Sequence, residues 1–155
     1  MNTPRKVYVL MGSPNDRPKL APAAETLERF GLEADVRVAS AHRHPAEVAD
    51  LAGGARAAGY AALICGAGMA AALPGVVAAH TTLPVVGVPL SGSALNGVDA
   101  LYAIVQMPKG IPVATVAIDG AVNAALLVVA MLAITDADLA DRLADYRAEQ
   151  AAAAR

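Results

Sequence analysis

Hydrophobic and polar positions along this chain alternate between two periods. Val7 to Met11 is a β-rich apolar run closed by Gly12, and from Lys19 to Phe30 apolar residues recur at helical spacing through Leu20, Ala23, Ala24, Leu27 and Phe30. Gly31 stops that helix. Ala34 to Ala39 then predicts a second strand, and Ala46 to Ala58 a second helix ended by Gly59. The pattern repeats with strands at Ala61 to Cys65 and Val85 to Val88, helices from about Ala71 to His80 and from Val98 to Val105, and a fifth strand at Val113 to Ile118. An all-apolar helix, Val122 to Ile134, and a charged, Ala-rich helix from about Asp136 to Ala153 follow.

Strands alternating with helices at short spacing imply βαβ units and a parallel sheet covered on both faces. The expected fold is a doubly wound three-layer α/β sandwich with five parallel strands in flavodoxin-like order, plus C-terminal helices. One domain is expected over residues 1–155, since no linker divides the chain and its length suits a single core. The helix at 136–155 is a candidate arm toward a neighbouring subunit. Because Val122 to Ile134 is apolar all round, it is expected to be covered by that last helix or by another subunit.

Composition sharpens this picture. Hydrophobic residues make up 56% of the chain but aromatics only 3%, so the apolar mass is small and aliphatic and exceeds what one monomer readily hides. A homo-oligomer is expected. A net charge of -2 offers no basic footprint for nucleic acid or an anionic membrane surface. Arg56 to Asp99 brackets a stretch without charges, but Gly59, Gly66, Gly68, Pro74, Gly75, Pro84, Gly87 and Pro89 interrupt it and His80, Thr81 and Thr82 lie within it. It reads as strand, turn, helix and strand rather than as a membrane span. A single cysteine makes no internal disulfide, and Met1 to Lys6 leads into the first strand without a signal-peptide pattern, so the cytoplasm is the expected compartment.

In a parallel sheet the ligand sits beyond the carboxyl ends of the strands, which directs attention to four loops. The first, Gly12-Ser13-Pro14-Asn15-Asp16, offers a hydroxyl, an amide and a carboxylate suited to ribose and phosphate oxygens, although Asn15 or Asp16 would serve equally as a helix cap. The second, Ser40-Ala41-His42-Arg43-His44-Pro45, places an imidazole able to exchange protons beside a guanidinium and a hydroxyl able to hold phosphate. The third runs from Gly66 to Gly75 and includes Gly68, Ala72 and Leu73; the fourth runs from Pro89 to Gly97. Gly66-x-Gly68-x-x-Ala71 matches a relaxed dinucleotide fingerprint, but the next strand ends in Gly87-Val88-Pro89-Leu90 with no carboxylate for a ribose. These glycines read instead as places where a ligand or a neighbouring backbone approaches closely. No Cys or carboxylate cluster completes a metal site around His42 and His44, so a metal is not expected. Cys65, at the end of a buried strand, reads as an inert core thiol.

Taken together, these loops resemble the 5-(carboxyamino)imidazole ribonucleotide mutase family from Val7 to about Ile134. The resemblance rests on Met11-Gly12-Ser13 with Asp16, Ser40-Ala41-His42-Arg43 with Pro45, and Gly66-Ala67-Gly68 with Leu73-Pro74-Gly75. It rests most of all on Ala94 to Leu101, Val105 to Pro108 and Gly110 to Thr115. It implies an α/β enzyme of purine synthesis that moves a carboxyl group from nitrogen to carbon on an aminoimidazole ribonucleotide, by way of carbon dioxide. It further implies that Ser13, Asp16 and Arg43 hold the ribonucleotide with Ser40 near its phosphate, that Gly68, Ala72 and Leu73 line the substrate site, and that His42 transfers the proton. A homo-octamer is implied as well, and neither a cofactor nor a metal. The chain departs from the family pattern at Ala72, where the family usually has histidine, and at Asn15 and His44; His44 is the nearest substitute for the missing imidazole. Two other functions stay open: a direct carboxylase or a paralogue acting on a related nucleotide, and a non-catalytic nucleotide-binding oligomer. Retention of His42 speaks against the last.

Overall fold

A computed structural model describes residues 6–154; Met1 to Arg5 and Arg155, which begin and end the expected domain, lie outside the described residues. Five parallel strands are present, β1 (Lys6–Met11), β2 (Glu33–Val38), β3 (Tyr60–Gly68), β4 (Val85–Leu90) and β5 (Ala114–Thr115). They line up in the order β2-β1-β3-β4-β5, as the flavodoxin-like reading required. Six α-helices connect and follow them: α1 (Arg17–Arg29), α2 (Pro45–Gly54), α3 (Leu73–His80), α4 (Val98–Val105), α5 (Ala121–Ala133) and α6 (Ala137–Ala153).

The period of two in the strands sorts the core into two halves. Val7, Val9 and Met11 of β1 face Leu20, Ala23 and Leu27 of α1 and the small residues of α5, whereas Tyr8 and Leu10 face Val48 and Ala52 of α2 and Val77 of α3. All six residues of β4 are buried, as a strand covered on both faces demands. Small side chains bring the layers close. A β-carbon on Gly66 would press on Leu20 Cδ1 at 2.5 Å, so this glycine lets the Leu20 side chain of α1 lie directly on β3. That corrects the expected reason for it, because the close neighbour is a helix side chain rather than a ligand or a backbone.

Several boundaries differ from the sequence reading, among them the fourth strand, which runs through Leu90 rather than ending at Val88. The third strand continues through Gly68 instead of ending at Cys65, since Gly66, Ala67 and Gly68 pair in register with Val88, Pro89 and Leu90. The second helix ends at Gly54 rather than Ala58, at the Gly53-Gly54 pair, where helix propensity is lowest. The fifth strand shrinks to Ala114–Thr115. Its ladder uses the β4 edge on which Val116 N–H donates to the Gly87 carbonyl. Pro89, two residues along the same edge, has no N–H to give.

The last helix folds back on its own chain. Asp136 caps it by accepting from Leu139 N–H at 3.3 Å, Leu139 is buried, and Tyr146 packs on Phe30 at a centroid separation of 5.8 Å. Glu149 closes the contact with Arg29 at 2.5 Å. Among the described residues no helix is long and apolar enough to cross a membrane.

Candidate active site

The loops that follow β1, β2, β3 and β4 converge on one cleft of about 620 Å³ at the carboxyl ends of the strands. It lies where strand order reverses, between β1 and β3, the position at which open α/β sheets bind ligands. Ser13, Asp16, Ser40, His42, Arg43, Gly68, Ala72 and Leu73 all line it. These are the residues singled out in the sequence, and the fold brings them together. Their roles toward a ligand are taken up below.

Each wall has its own local cause. After β1 the chain turns through a single 3-10 turn, Pro14–Asp16, and Ser13 caps it by accepting from Asn15 N–H at 3.3 Å. Asp16 makes no side-chain cap of its own, which removes the simple capping explanation for its carboxylate. Burial raises the Asp16 carboxyl above its ordinary value, against the opposing pull of Ser13 and Lys19. Its oxygens are thus held partly out of water at the cleft wall.

After β2, the buried Ser40 organises the loop. Its Oγ accepts from both the backbone N–H and the Nε of Arg43, each at 3.2 Å, so its own O–H remains to donate. Arg43 Nη2 donates to the Gly12 carbonyl at 2.7 Å, which ties the second loop to the first. These bonds use part of the guanidinium's donor set and fix its plane while the rest stays available. His42 is exposed at the cleft wall. His44 stands elsewhere: it is the N-cap residue of α2, and its carbonyl accepts from Val48 N–H. It is not among the cleft-lining residues, so it does not replace the imidazole missing at Ala72.

The third wall is apolar. Ala67, Gly68, Met69, Ala71, Ala72 and Leu73 form it, and Met69 and Ala71 adopt positive φ values of 55° and 43°. Such a conformation is costly for residues with a β-carbon and marks a constrained turn. Cys65 lies below this wall, fully buried, and burial pushes its thiol well above the ordinary range. It stays a neutral thiol.

Sequence reasoning missed Lys19 and pointed to the fourth loop without singling out its Ser91 and Ser93; all three line the cleft. Lys19 Nζ donates to the Ser91 carbonyl at 2.6 Å and to Ser91 Oγ at 2.7 Å, and it approaches Asp119 Oδ1 to 3.7 Å. Burial pushes the Asp119 carboxyl up, but bonds from the Ser91 hydroxyl and amide together with Lys19 outweigh it and hold the group below its ordinary value. The available signal for Lys19 was its position one helical turn beyond Asp16. Among the described residues no three His, Cys, Asp or Glu side chains gather as a metal site would require.

Fold and cleft together define an α/β protein with an open cleft at the switch point of a flavodoxin-order sheet. The chain belongs to the AIR carboxylase family, whose model matches residues 6–153. The family resemblance read from the loop motifs is therefore borne out. Among its relatives, the N5-carboxyaminoimidazole ribonucleotide mutase of Brucella melitensis is 52% identical over 146 residues, which is 93% of this chain and 90% of that protein. A chloroplastic phosphoribosylaminoimidazole carboxylase of Vigna aconitifolia is 50% identical over 141 residues, 91% of this chain, but the chain spans only 25% of its length. The crystal structure of PurE from Treponema denticola superimposes with a TM-score of 0.87 at 30% sequence identity, over 95% of this chain and 92% of that one.

Proposed function

We propose that this chain is an N5-carboxyaminoimidazole ribonucleotide mutase, which converts the N-carboxylated aminoimidazole ribonucleotide to the 4-carboxy isomer in purine synthesis. The observation that carries the reading is the convergence of His42, Arg43, Ser40, Ser13 and Asp16 on one cleft in a chain about half identical to mutases of nearly the same length.

In this reading Arg43 and the Ser40 hydroxyl hold the phosphate, the first by charge-assisted bonds. Ser13 and the Asp16 carboxylate take ribose hydroxyls, the carboxylate as acceptor. His42, protonated, gives its proton to the carbamate nitrogen as the N–C bond breaks and carbon dioxide leaves. The C4 carbon of the aminoimidazole then attacks the trapped carbon dioxide, and neutral His42 removes the C4 proton to restore the aromatic ring. One imidazole serves both steps because it ends in the protonation state in which it began, and histidine titrates near neutrality. The apolar third wall suits carbon dioxide, which needs confinement more than hydrogen bonds. No step calls on a cofactor or a metal.

Assembly belongs to the same reading. Val98, Tyr102 and Val105 form an exposed stripe along α4, preceded in the chain by exposed Leu95, and this apolar surface supports burial against further copies. An octamer is expected by light scattering.

Ala72 favours a second reading, direct carboxylation of aminoimidazole ribonucleotide, because the wall lacks the family's usual histidine. One experiment separates the two. Purified protein is incubated with the carbamate nucleotide, and separately with aminoimidazole ribonucleotide plus bicarbonate, and the 4-carboxy product is followed by absorbance. Faster turnover of the carbamate supports the mutase, faster turnover with bicarbonate the carboxylase, and no product from either the non-catalytic binder.

A further inference from the structure

Resting on the reading above, we propose that Lys19 is a substrate-binding residue whose ammonium holds the carboxylate that distinguishes the carboxylated nucleotides from aminoimidazole ribonucleotide itself. Lys19 lies on the first turn of α1, lines the cleft, and has a side chain only 33% exposed. An ammonium has three N–H donors. Two of them go to the carbonyl and the hydroxyl of Ser91. Asp119 Oδ1, at 3.7 Å, pairs with the ammonium at more than hydrogen-bond length, so no short bond occupies the third donor among the described residues.

The support beneath this cation is built from three elements. Asp119 sits at φ 57° and accepts from Ser91 N–H at 2.9 Å and from the Ser91 hydroxyl, while the Ser91 carbonyl and Oγ fix Lys19. Gly92, at φ 113°, carries the wall past the ammonium, and a β-carbon there would come within 3.6 Å of Nζ. The Ser91 hydroxyl donates to Asp119 and accepts from Lys19, so it is fully engaged, while Asp119 is the ion-pair partner with which a bound carboxylate would share the ammonium.

The cleft therefore has two cations at different walls, of which Lys19 is paired with Asp119 at 3.7 Å. Arg43 is tied to Gly12 and Ser40 at the first and second loops, and Lys19 to Ser91 at the fourth; the third wall, Ala67 to Leu73, carries no charge. A carboxylated nucleotide has two anionic groups, a phosphate and a carboxylate. With the phosphate on Arg43 and Ser40, Lys19 is the cation left for the carboxylate.

The test measures dissociation constants by calorimetry for aminoimidazole ribonucleotide and for its 4-carboxy form, in wild type, Lys19→Met, Lys19→Gln and Lys19→Arg. The expected result is a loss of about tenfold to a hundredfold for the 4-carboxy nucleotide in the Met and Gln variants, the usual range for one charge-assisted bond. Affinity for aminoimidazole ribonucleotide should stay within about threefold, and Lys19→Arg should recover most of the loss. Lys19→Gln keeps a donor for the Ser91 carbonyl, so it tests the charge alone if the apolar variant proves unstable. Equal losses for both nucleotides would make Lys19 a brace for the fourth loop and overturn the assignment, as would no loss at all. Wild type that binds neither nucleotide would overturn the proposed function itself, and this assignment with it.

Discussion

Two carboxylates near β1 show how differently the same group is treated in the cleft and at the edge of the sheet. Asp35, on edge strand β2, has both oxygens engaged: Arg37 gives it two bonds at 2.9 and 3.0 Å, and the Tyr60 hydroxyl a third at 2.5 Å. The Tyr60 ring stacks on Tyr8 at 3.6 Å, which fixes that hydroxyl. Bonds from Arg37 hold the Asp35 carboxyl below its ordinary value despite partial burial. Asp16 is the reverse: burial dominates, the carboxyl is raised, and its side chain caps no helix. The edge cluster uses its polar capacity to stabilise the fold. The cleft keeps capacity in reserve, in Asp16, in the Ser40 hydroxyl and in the guanidinium of Arg43.

That contrast can be broken most sharply at His42. Replacing His42 with Asn should leave fold and oligomer intact and lower kcat by about a hundredfold to ten-thousandfold, the usual contribution of a general acid–base residue. Steady-state turnover with the carbamate nucleotide checks it, and a rate within a few-fold of wild type would remove His42 from the mechanism. Arg43→Ala should weaken nucleotide binding by about 1.5–3 kcal/mol, measured as a dissociation constant. Arg43→Lys should recover little of that, because one ammonium cannot reach both Ser40 Oγ and the Gly12 carbonyl in the same plane.

The two carboxylates should also differ in the sign of their pH dependence. Asp35, with a depressed folded value, adds stability above the ordinary carboxylate range and loses it as pH falls through that lower value. Asp35→Asn should therefore lower Tm near neutrality by about 2–4 °C, corresponding to about 1 kcal/mol, with the gap closing in acid. Asp16, with a raised value, favours the folded state while protonated and withdraws that contribution as pH rises through its folded value. Asp16→Asn should match wild type in acid and equal or exceed it in Tm near neutrality, while binding nucleotide less well. Thermal melts from pH 3 to pH 8 test both, and parallel curves would mean that the environments do not differ.

The smallest effect is expected at Ala72. Its half-buried position on the apolar wall leaves the rest of the cleft unchanged, so Ala72→His should keep or modestly raise kcat/KM for the carbamate nucleotide. Abolition of turnover in an intact oligomer would show that this wall is shaped for another substrate, and the mutase reading would give way to the paralogue.

How much of this was legible along the chain depended on the range of the interactions. The first loop stood out because Gly12 to Asp16 interrupts an apolar run, and the second because Ser40, His42 and Arg43 cluster within four positions at a strand end. Their convergence followed from strand order alone, since adjacent parallel strands end side by side. The bonds around Ser91 were not legible: Lys19 is 72 residues from it and Asp119 is 28, and nothing local about a lysine on a helix or an aspartate in a turn announces a shared hydroxyl. The shortened fifth strand escaped for a similar reason, because the residue that limits it, Pro89, lies on another strand.

By itself, then, the sequence determined the alternation of strands and helices, the sheet's burial on both faces, and the loops in which the polar chemistry collects. Hydrophobic period and backbone-breaking residues act over a few positions, and a strand apolar on both sides has only a covered interior to occupy. The tertiary structure decided where the charges stand relative to one another. It set Arg43 against Gly12, placed Lys19 on Ser91, turned His44 away from the cleft, and let burial raise one carboxyl while a guanidinium lowered another. Those outcomes depend on distances of a few ångströms between distant segments, over which both hydrogen bonds and desolvation change steeply.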